Sequence, residues 1–246
     1  MTDAPLVRRH TDRAIEVLAL DSPHNRNALS AALIAELSAA LDDADGDPGV
    51  RAVLLTHTGG TFCSGADLKA DGLGSGPELL VELIGQIAGL SKPVVARVNG
   101  HARAGGLGLL AACDIAVAGG AATFAFTEVR LGLAASVASI PVLARTDPRA
   151  AARHLLTGEA FDTAEAVRIG LVTAWEEALD GILAGLRASS PQGLAATKEI
   201  TTLALRQALA AEGGRLARQS RELFESAEAA EGVRAALERR DPPWAI

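Results

Sequence analysis

Short apolar runs alternate with amphipathic segments over the first half of the chain, and this pattern predicts an α/β fold. Residues 14–20 and 50–56 are expected to be strands, and the second is nearly continuous in apolar residues, as for a strand covered on both faces. Leucine recurs every fourth residue at positions 29, 33, 37 and 41, which predicts a helix over 31–41 capped by Asn27 or Ser30. A second helix is predicted over 78–90, and a further strand begins at Pro93.

The second half of the chain begins with short strands and then reads as helices only. Strands are predicted over 114–118 and 123–126. Helical periodicity follows over residues 137–144, 149–156, 163–168, 179–188, 192–211 and 213–238. No linker separates two domains. We therefore expect one core over residues 1–190, with a helical region over 191–246 that makes oligomer contacts, either as part of the same domain or as an extension packed on a neighbour.

The middle of the chain, residues 92–108, predicts a buried strand, a turn and a glycine-rich loop that opens a helix. The first backbone N–H groups of a helix have no partner inside it and lie at the positive end of its dipole. Such a loop binds a phosphate, a carboxylate or an oxyanion that forms during a reaction. The glycines let a ligand come close to the backbone.

A second loop, residues 64–67, also follows a predicted strand, and it can act together with the glycine-rich loop at 104–106. Two N–H groups from separate loops form an oxyanion hole, in which each donor typically contributes about 3 kcal/mol of transition-state stabilisation. The other interpretation is a dinucleotide fingerprint in residues 106–111. It is the weakest, because residues 99–105 separate the glycines from the strand and Glu128 follows two short strands instead of one.

Composition narrows the class of protein further. The 246-residue chain has a formal net charge of −7 and no long basic run, so a nucleic-acid surface is not expected. Cys63 and Cys113 have no CxxC spacing, which argues against a disulfide framework or a metal site. Residues 1–13 lack the apolar core of a signal peptide, and no apolar run reaches membrane-spanning length. A soluble cytoplasmic protein is therefore expected.

Several stretches along the chain form one set of motifs. They are Pro23-x-x-x-Asn27-Ala28-Leu29, Phe62-Cys63-Ser64-Gly65-Ala66-Asp67-Leu68, Lys92-Pro93-Val94-Val95-Ala96-Arg97-Val98-Asn99-Gly100, Cys113-Asp114-Ile115-Ala116, Phe126-Thr127-Glu128-Val129-Arg130-Leu131-Gly132, Leu156-Thr157-Gly158-Glu159 and residues 166–172 and 224–244. In their order and spacing, over nearly the whole chain, these motifs resemble those of one family, the enoyl-CoA hydratases/isomerases, or crotonases. The resemblance implies a crotonase-like spiral of ββα units, with a C-terminal helical region that assembles a homotrimer or a dimer of trimers.

The resemblance also implies an acyl-CoA thioester substrate, with coenzyme A arriving as part of the substrate and no separate cofactor. In the family the thioester oxygen lies between two backbone N–H groups, which match Ala66 and Gly105 here. The loop from Ser64 to Leu68 would bind the adenine and pantetheine end. Arg26 and Lys69 would lie near the phosphates. The implied binding residues are Arg26, Ser64, Gly65, Ala66, Asp67, Leu68, Lys69 and Gly105.

The chain departs from the hydratase pattern at its catalytic carboxylates. Hydratases of the family use two glutamates; the second matches Glu128, whereas the first falls on Gly108. A 1,3-shift of a double bond needs only one base, so the single Glu128 favours isomerisation. We expect Gly108→Glu to place a second carboxylate facing Glu128. The alternatives are a hydratase that uses another group, with Arg103 or Asp71 near the pocket, and a non-catalytic acyl-CoA-binding protein.

Overall fold

The computed structural model describes residues 4–67 and 76–246, which form strands and helices in alternation. The strands are β1 (Val7–Asp12), β2 (Ile15–Leu20), β3 (Ala52–His57), β4 (Thr61–Cys63), β5 (Val94–Val98), β6 (His101–Arg103), β7 (Ile115–Ala118), β8 (Thr123–Ala125), β9 (Phe161–Asp162) and β10 (Ala174–Trp175). The α-helices are α1 (Ala31–Gly46), α2 (Gly76–Gly89), α3 (Gly105–Ala112), α4 (Ser136–Arg145), α5 (Pro148–Thr157), α6 (Thr163–Ile169), α7 (Leu179–Ala188), α8 (Pro191–Thr201), α9 (Leu203–Phe224) and α10 (Ala227–Glu238).

Within the described residues the strands form two sheets, and successive units of the chain contribute one strand to each. The larger sheet has the order β1-β2-β3-β5-β7-β10 and is parallel except for β1, which pairs antiparallel with β2. The smaller sheet has the order β4-β6-β8-β9, in which only β9 is antiparallel. The units β3-β4-α2 and β5-β6-α3 are turns of a ββα spiral. The predicted fold class is confirmed.

The large sheet carries apolar side chains on both faces, as the nearly continuous apolar run of β3 predicts. On one face, helices α1 to α4 close the main core around fully buried leucines and phenylalanines. On the other face, Ile15, Leu54 and Val117 pack against Leu179 and Leu183 of α7. Burying such a side chain typically contributes about 1.5–3 kcal/mol, so the sheet is a rigid base for the loops at its strand ends.

Several elements differ from the predicted ones. The two-residue strands β9 and β10 interrupt the second half, which was expected to be helical, because strands this short leave no apolar alternation in the sequence. The helices predicted over 192–211 and 213–238 are instead broken at Thr202 and after Phe224, where α9 and α10 begin anew.

Strand β1 was not predicted, because Val7 is its single buried residue and its polar sequence gives no apolar alternation; it lies at the sheet edge. The predicted helix break at residue 212 is wrong. Gly213 lies inside α9, where a Cβ would come within 3.0 Å of Val81 Cγ1 on α2. That glycine brings α9 close to α2 instead of ending the helix.

The helical tail packs on its own chain. Helix α9 lies against α2 and α4 and buries Leu205 and Ala217, and α10 lies against the 3₁₀ helix Thr127–Leu131. Other large apolar side chains stay exposed in the single chain, among them Leu156, Ile200, Leu203 and Leu237. The use of this region in oligomer contacts stays a prediction. Across the described ranges, no helix is both long enough and apolar enough to span a membrane.

Candidate active site

The loop after β4 and the start of α3 meet backbone to backbone. Gly65 has φ of +86°, and a Cβ there would come within 2.7 Å of Ala104 Cβ and 3.1 Å of Gly105 N. Leu29 N donates to Gly65 O at 2.8 Å and ties the first loop to the chain before α1. Only glycine satisfies both the backbone conformation and the space at position 65.

Two backbone donors are free at this junction. Among the described residues, neither the Ala66 N–H nor the Gly105 N–H donates a hydrogen bond. Both residues line one cavity. Gly105 is the first residue of α3, so its N–H lies at the positive end of the helix dipole. The structure brings together the two residues that the sequence predicts for an oxyanion hole, and both donors are available to a ligand.

Ala104, between β6 and α3, holds an unusual backbone conformation. Its φ is +52° and its ψ is −128°, a region that non-glycine residues seldom adopt and that typically costs about 1–3 kcal/mol. Such strain persists where the surroundings fix the backbone, and it is concentrated at functional sites. Here it turns the chain sharply between a strand end and the free N–H of Gly105.

The cavity has a volume of about 110 Å³ and a mainly apolar wall. Of the described residues that line it, Glu128 is the one with an ionisable side chain. Hydroxyl groups of Ser64, Thr127, Ser136 and Ser220 add the polar side-chain surface. The apolar lining side chains are Leu29, Pro77, Leu80, Leu131, Leu133, Val137 and Phe224. A hydrocarbon chain fits such a wall, and a charged group would be poorly solvated there.

Glu128 lies in the 3₁₀ helix Thr127–Leu131, which follows β8 directly, and is the buried residue of that helix. The residue is 9 % exposed, and its Oε2 has no hydrogen-bond partner within the described chain. Burial raises the pKa of Glu128 to about 7, and a hydrogen bond from its own backbone N–H acts in the opposite direction. A carboxyl group with this pKa can both take and return a proton near neutral pH.

Gly108 faces another helix instead of the cavity. At this position the sequence predicts that Gly108→Glu would restore a second carboxylate. A Cβ at Gly108 would come within 2.9 Å of Ala138 Cα and 3.1 Å of Ala138 Cβ on α4. Gly108 does not line the cavity, whereas Ala138 does. The expectation that Gly108→Glu would face Glu128 is therefore wrong, because α4 occupies the space that the side chain would need.

The residues implied for coenzyme A binding lie partly within the described structure. Ser64 lines the cavity, and its Oγ donates to Asn25 O at 3.4 Å, so the turn that carries Arg26 adjoins the loop of Gly65, Ala66 and Asp67. Arg26 is exposed, and it lies outside the cavity wall. Leu68 and Lys69 lie outside the described residues, as does Asp71.

Arg103, considered as a replacement for the missing carboxylate, is used elsewhere. Its guanidinium donates to Ala102 O at 2.9 Å, to Thr123 O at 2.6 Å and to Thr123 Oγ1 at 2.7 Å. It therefore braces β6 against β8 in the smaller sheet and does not line the cavity.

Two parts of the site had no signal in the sequence. Ser220 and Phe224 reach the cavity from α9, about 90 residues after Glu128, and only the folded arrangement shows this. Ser136 begins α4, lines the cavity and donates its hydroxyl to Gln219 Oε1 at 3.0 Å. A serine after a run of alanines gives no reason from sequence alone to expect a polar group in the pocket wall.

In the part of the chain that the structure describes, two backbone N–H groups without a partner and one buried carboxylate line the same cavity. Such a site is suited to stabilising an enolate and moving its proton. The similarity of this chain to known proteins points to the same class of site. The family model described as enoyl-CoA hydratase/isomerase matches residues 10–245, and the chain belongs to this family and is an enzyme of it.

Similarity to individual relatives extends over nearly their full length. A crystal structure of an enoyl-CoA hydratase from Mycobacterium avium is 45% identical, covers 98% of this chain and 99% of its own, and has a TM-score of 0.92. A Thermus thermophilus protein named as an enoyl-CoA hydratase is 37% identical over 93% of this chain and 96% of its own. A mevalonyl-coenzyme A hydratase of Aspergillus fumigatus is 33% identical over 94% and 91%.

Proposed function

We propose that the protein isomerises the double bond of an enoyl-CoA, with Glu128 as its single acid/base and the N–H groups of Ala66 and Gly105 as its oxyanion hole. The observation that carries this proposal is that Glu128 is the one ionisable side chain among the described residues of the cavity wall, together with Ala138 in the place where a second carboxylate would have to fit. A 1,3-proton shift needs one base that serves two carbon atoms.

The reaction follows from these groups. The Glu128 carboxylate takes a proton from C2 of a 3-enoyl-CoA, and the electron pair of that C–H bond moves into the thioester as a dienolate. The negative charge on the thioester oxygen is held by the two N–H donors, each typically worth about 3 kcal/mol. Glu128, now a carboxylic acid, returns the proton to C4 while the C2–C3 double bond and the thioester carbonyl form. The product is a 2-enoyl-CoA, and Glu128 is again a carboxylate.

The coenzyme A part would follow the loop 64–69. We propose that Ser64, Gly65, Asp67, Leu68 and Lys69 line its path, and that Arg26 lies near its phosphates. The contact between Asn25 and Ser64 supports this arrangement, since the turn that carries the exposed Arg26 adjoins a loop that lines the cavity.

Hydration of a 2-enoyl-CoA is the second candidate, and two observations favour it. The relatives described above carry the names of hydratases. Ser136 lines the cavity and donates its hydroxyl to Gln219 Oε1 at 3.0 Å, so the wall contains a fixed polar side chain besides Glu128 that could accept a hydrogen bond from water. In that reaction Glu128 would deprotonate the water that attacks C3 and then protonate C2.

The test compares the two substrates with the same protein. Wild type, Glu128→Gln and Ser136→Ala are assayed on 3-enoyl-CoA and 2-enoyl-CoA, and acyl-CoA binding is measured by calorimetry. We expect isomerisation by wild type and by Ser136→Ala, and a loss of about a hundredfold or more in Glu128→Gln with binding retained. Faster hydration that depends on Ser136 would favour the second candidate. Binding without turnover of either substrate would contradict both candidates.

We also propose a homotrimer or a dimer of trimers in the cytoplasm. The exposed Leu156, Ile200, Leu203 and Leu237 support an oligomer, because large apolar side chains at 49–74% exposure favour a partner surface.

A further inference from the structure

The 3₁₀ helix Thr127–Leu131 that carries Glu128 is in close backbone contact with the last helix of the chain. Gly232 of α10 lies against Leu131: a Cβ at Gly232 would come within 2.7 Å of Leu131 Cα and would overlap its carbonyl group. Gly132, which ends the 3₁₀ helix with φ of +71°, lies against α10 in turn. A Cβ there would come within 3.0 Å of Glu228 C and 3.1 Å of Ala229 N.

The 3₁₀ helix also contacts the end of α5. Arg130 Nε donates to Thr157 O at 3.4 Å. A Cβ at Gly158 would come within 3.1 Å of both Arg130 Nε and Val129 Cγ1. The segment therefore packs against two helices. Helix α10 contacts its last residue, Leu131, which also lines the cavity.

The pKa of Glu128 depends on how deeply this packing buries its carboxyl group. Its Oε2 has no hydrogen-bond partner among the described residues. Arg130 on the segment and Glu228 on α10 are both exposed, and the pKa of Glu128 is set by burial, opposed only by its own backbone N–H. A small outward movement of the segment would admit water to the carboxylate. The pKa of Glu128 would then fall, because burial is what raises it.

We propose that Gly232 is a positioning residue for the reaction, through which α10 holds the Glu128 segment at the depth that keeps its carboxylate dry. This inference rests on the proposed role of Glu128. In this proposal the C-terminal helix α10 acts on the active site of its own subunit. The buried small residues of α10, Ala229, Gly232 and Ala235, form the face that permits the contact.

The test uses Gly232→Ala with Gly214→Ala as its matched control. Both glycines lie inside helices, but a Cβ at Gly214 meets nothing within 4 Å. We expect Gly232→Ala to lower kcat by about tenfold or more, because small misplacements of catalytic groups have effects of this size. KM should change by no more than about twofold, since the oxyanion loops are untouched. The acidic limb of the kcat pH profile should move from about 7 toward 4.5, while Gly214→Ala matches wild type.

A milder variant covers the case in which Gly232→Ala does not fold. Ser226 Oγ caps α10 by accepting from Ala229 N at 3.1 Å, so Ser226→Ala loosens the first turn of α10 without adding an atom. We expect the same shift of the pH profile with a smaller amplitude. A folded Gly232→Ala with unchanged kcat and pH profile would overturn the proposal, as would an unchanged Ser226→Ala if Gly232→Ala is unfolded.

A measurement without substrate separates this proposal from the proposed function. The pH dependence of thermal unfolding is compared between wild type and Glu128→Gln, and again in the Gly232→Ala background. We expect the difference that Glu128 makes to shrink when Gly232 is changed. If Glu128→Gln kept full turnover, the proposed function would fail, yet this comparison would still support or overturn the control of Glu128 burial by α10.

Discussion

The raised pKa of Glu128 predicts a measurable dependence of stability on pH. Burial raises this pKa from the ordinary 4.5 to about 7, and one pKa unit corresponds to about 1.4 kcal/mol. The difference is therefore about 3 kcal/mol of unfolding free energy. Because the folded-state pKa is the higher one, this stability is fully present below about pH 4.5 and is lost as the pH rises through about 7.

Glu128→Gln removes the titrating group while keeping its shape. Relative to this variant, wild type should lose about 3 kcal/mol of unfolding free energy between about pH 4.5 and about pH 8. Urea unfolding at closely spaced pH values measures both proteins, and the contributions of all other groups cancel in the difference. Glu222→Gln, at an exposed position of α9, controls for the loss of a carboxyl group. Equal pH dependence of wild type and Glu128→Gln would refute the reasoning.

Three further predictions concern packing and assembly. Gly108→Glu should lower the unfolding free energy by about 3 kcal/mol or more in chemical denaturation, because overpacking and a buried charge add at α4, and it should gain no hydratase activity. Gly65→Ala should reduce turnover by about a hundredfold, because the positive φ at this position and the nearby Ala104 would force the two donor loops apart. Gly60→Ala, where a Cβ meets nothing within 4 Å, is the control, and thermal melts of both variants check that they fold. Light scattering at micromolar concentration should give a trimer or hexamer, and a monomer would contradict that prediction.

The parts of the fold that follow from local pattern were predictable from the sequence. The interior strands of the large sheet are apolar on both faces, and the glycines at 65 and 105 mark loops where backbone must come close to backbone. Strand β1 was not predictable, because backbone pairing with β2 holds it in the sheet and its own side chains are mostly exposed. The continuity of α9 through Gly213 was not predictable either, because the reason for a glycine there is its contact with Val81 on α2.

The candidate site divides in the same way. The loops at 64–67 and 104–106 could be paired because each follows a predicted strand. Ala66, Gly105 and Glu128 themselves were indicated by the resemblance to the family. The packing of Ala138 against Gly108 joins residues 30 positions apart in the chain, and its consequence for a second carboxylate required the distance between α3 and α4. Ser136, Ser220 and Phe224 reach the cavity through the packing of α4 and α9, which no local periodicity specifies.

The central claim, one carboxylate that moves a proton between two carbon atoms, has a direct test. A 3-enoyl-CoA with deuterium at both C2 positions is incubated with wild type in ordinary water, and early product is examined by mass spectrometry and NMR. The account predicts 2-enoyl-CoA that carries part of the deuterium at C4, and no such product from Glu128→Gln. A product with no deuterium at C4, or a 3-hydroxyacyl-CoA formed faster than any isomer, would contradict it.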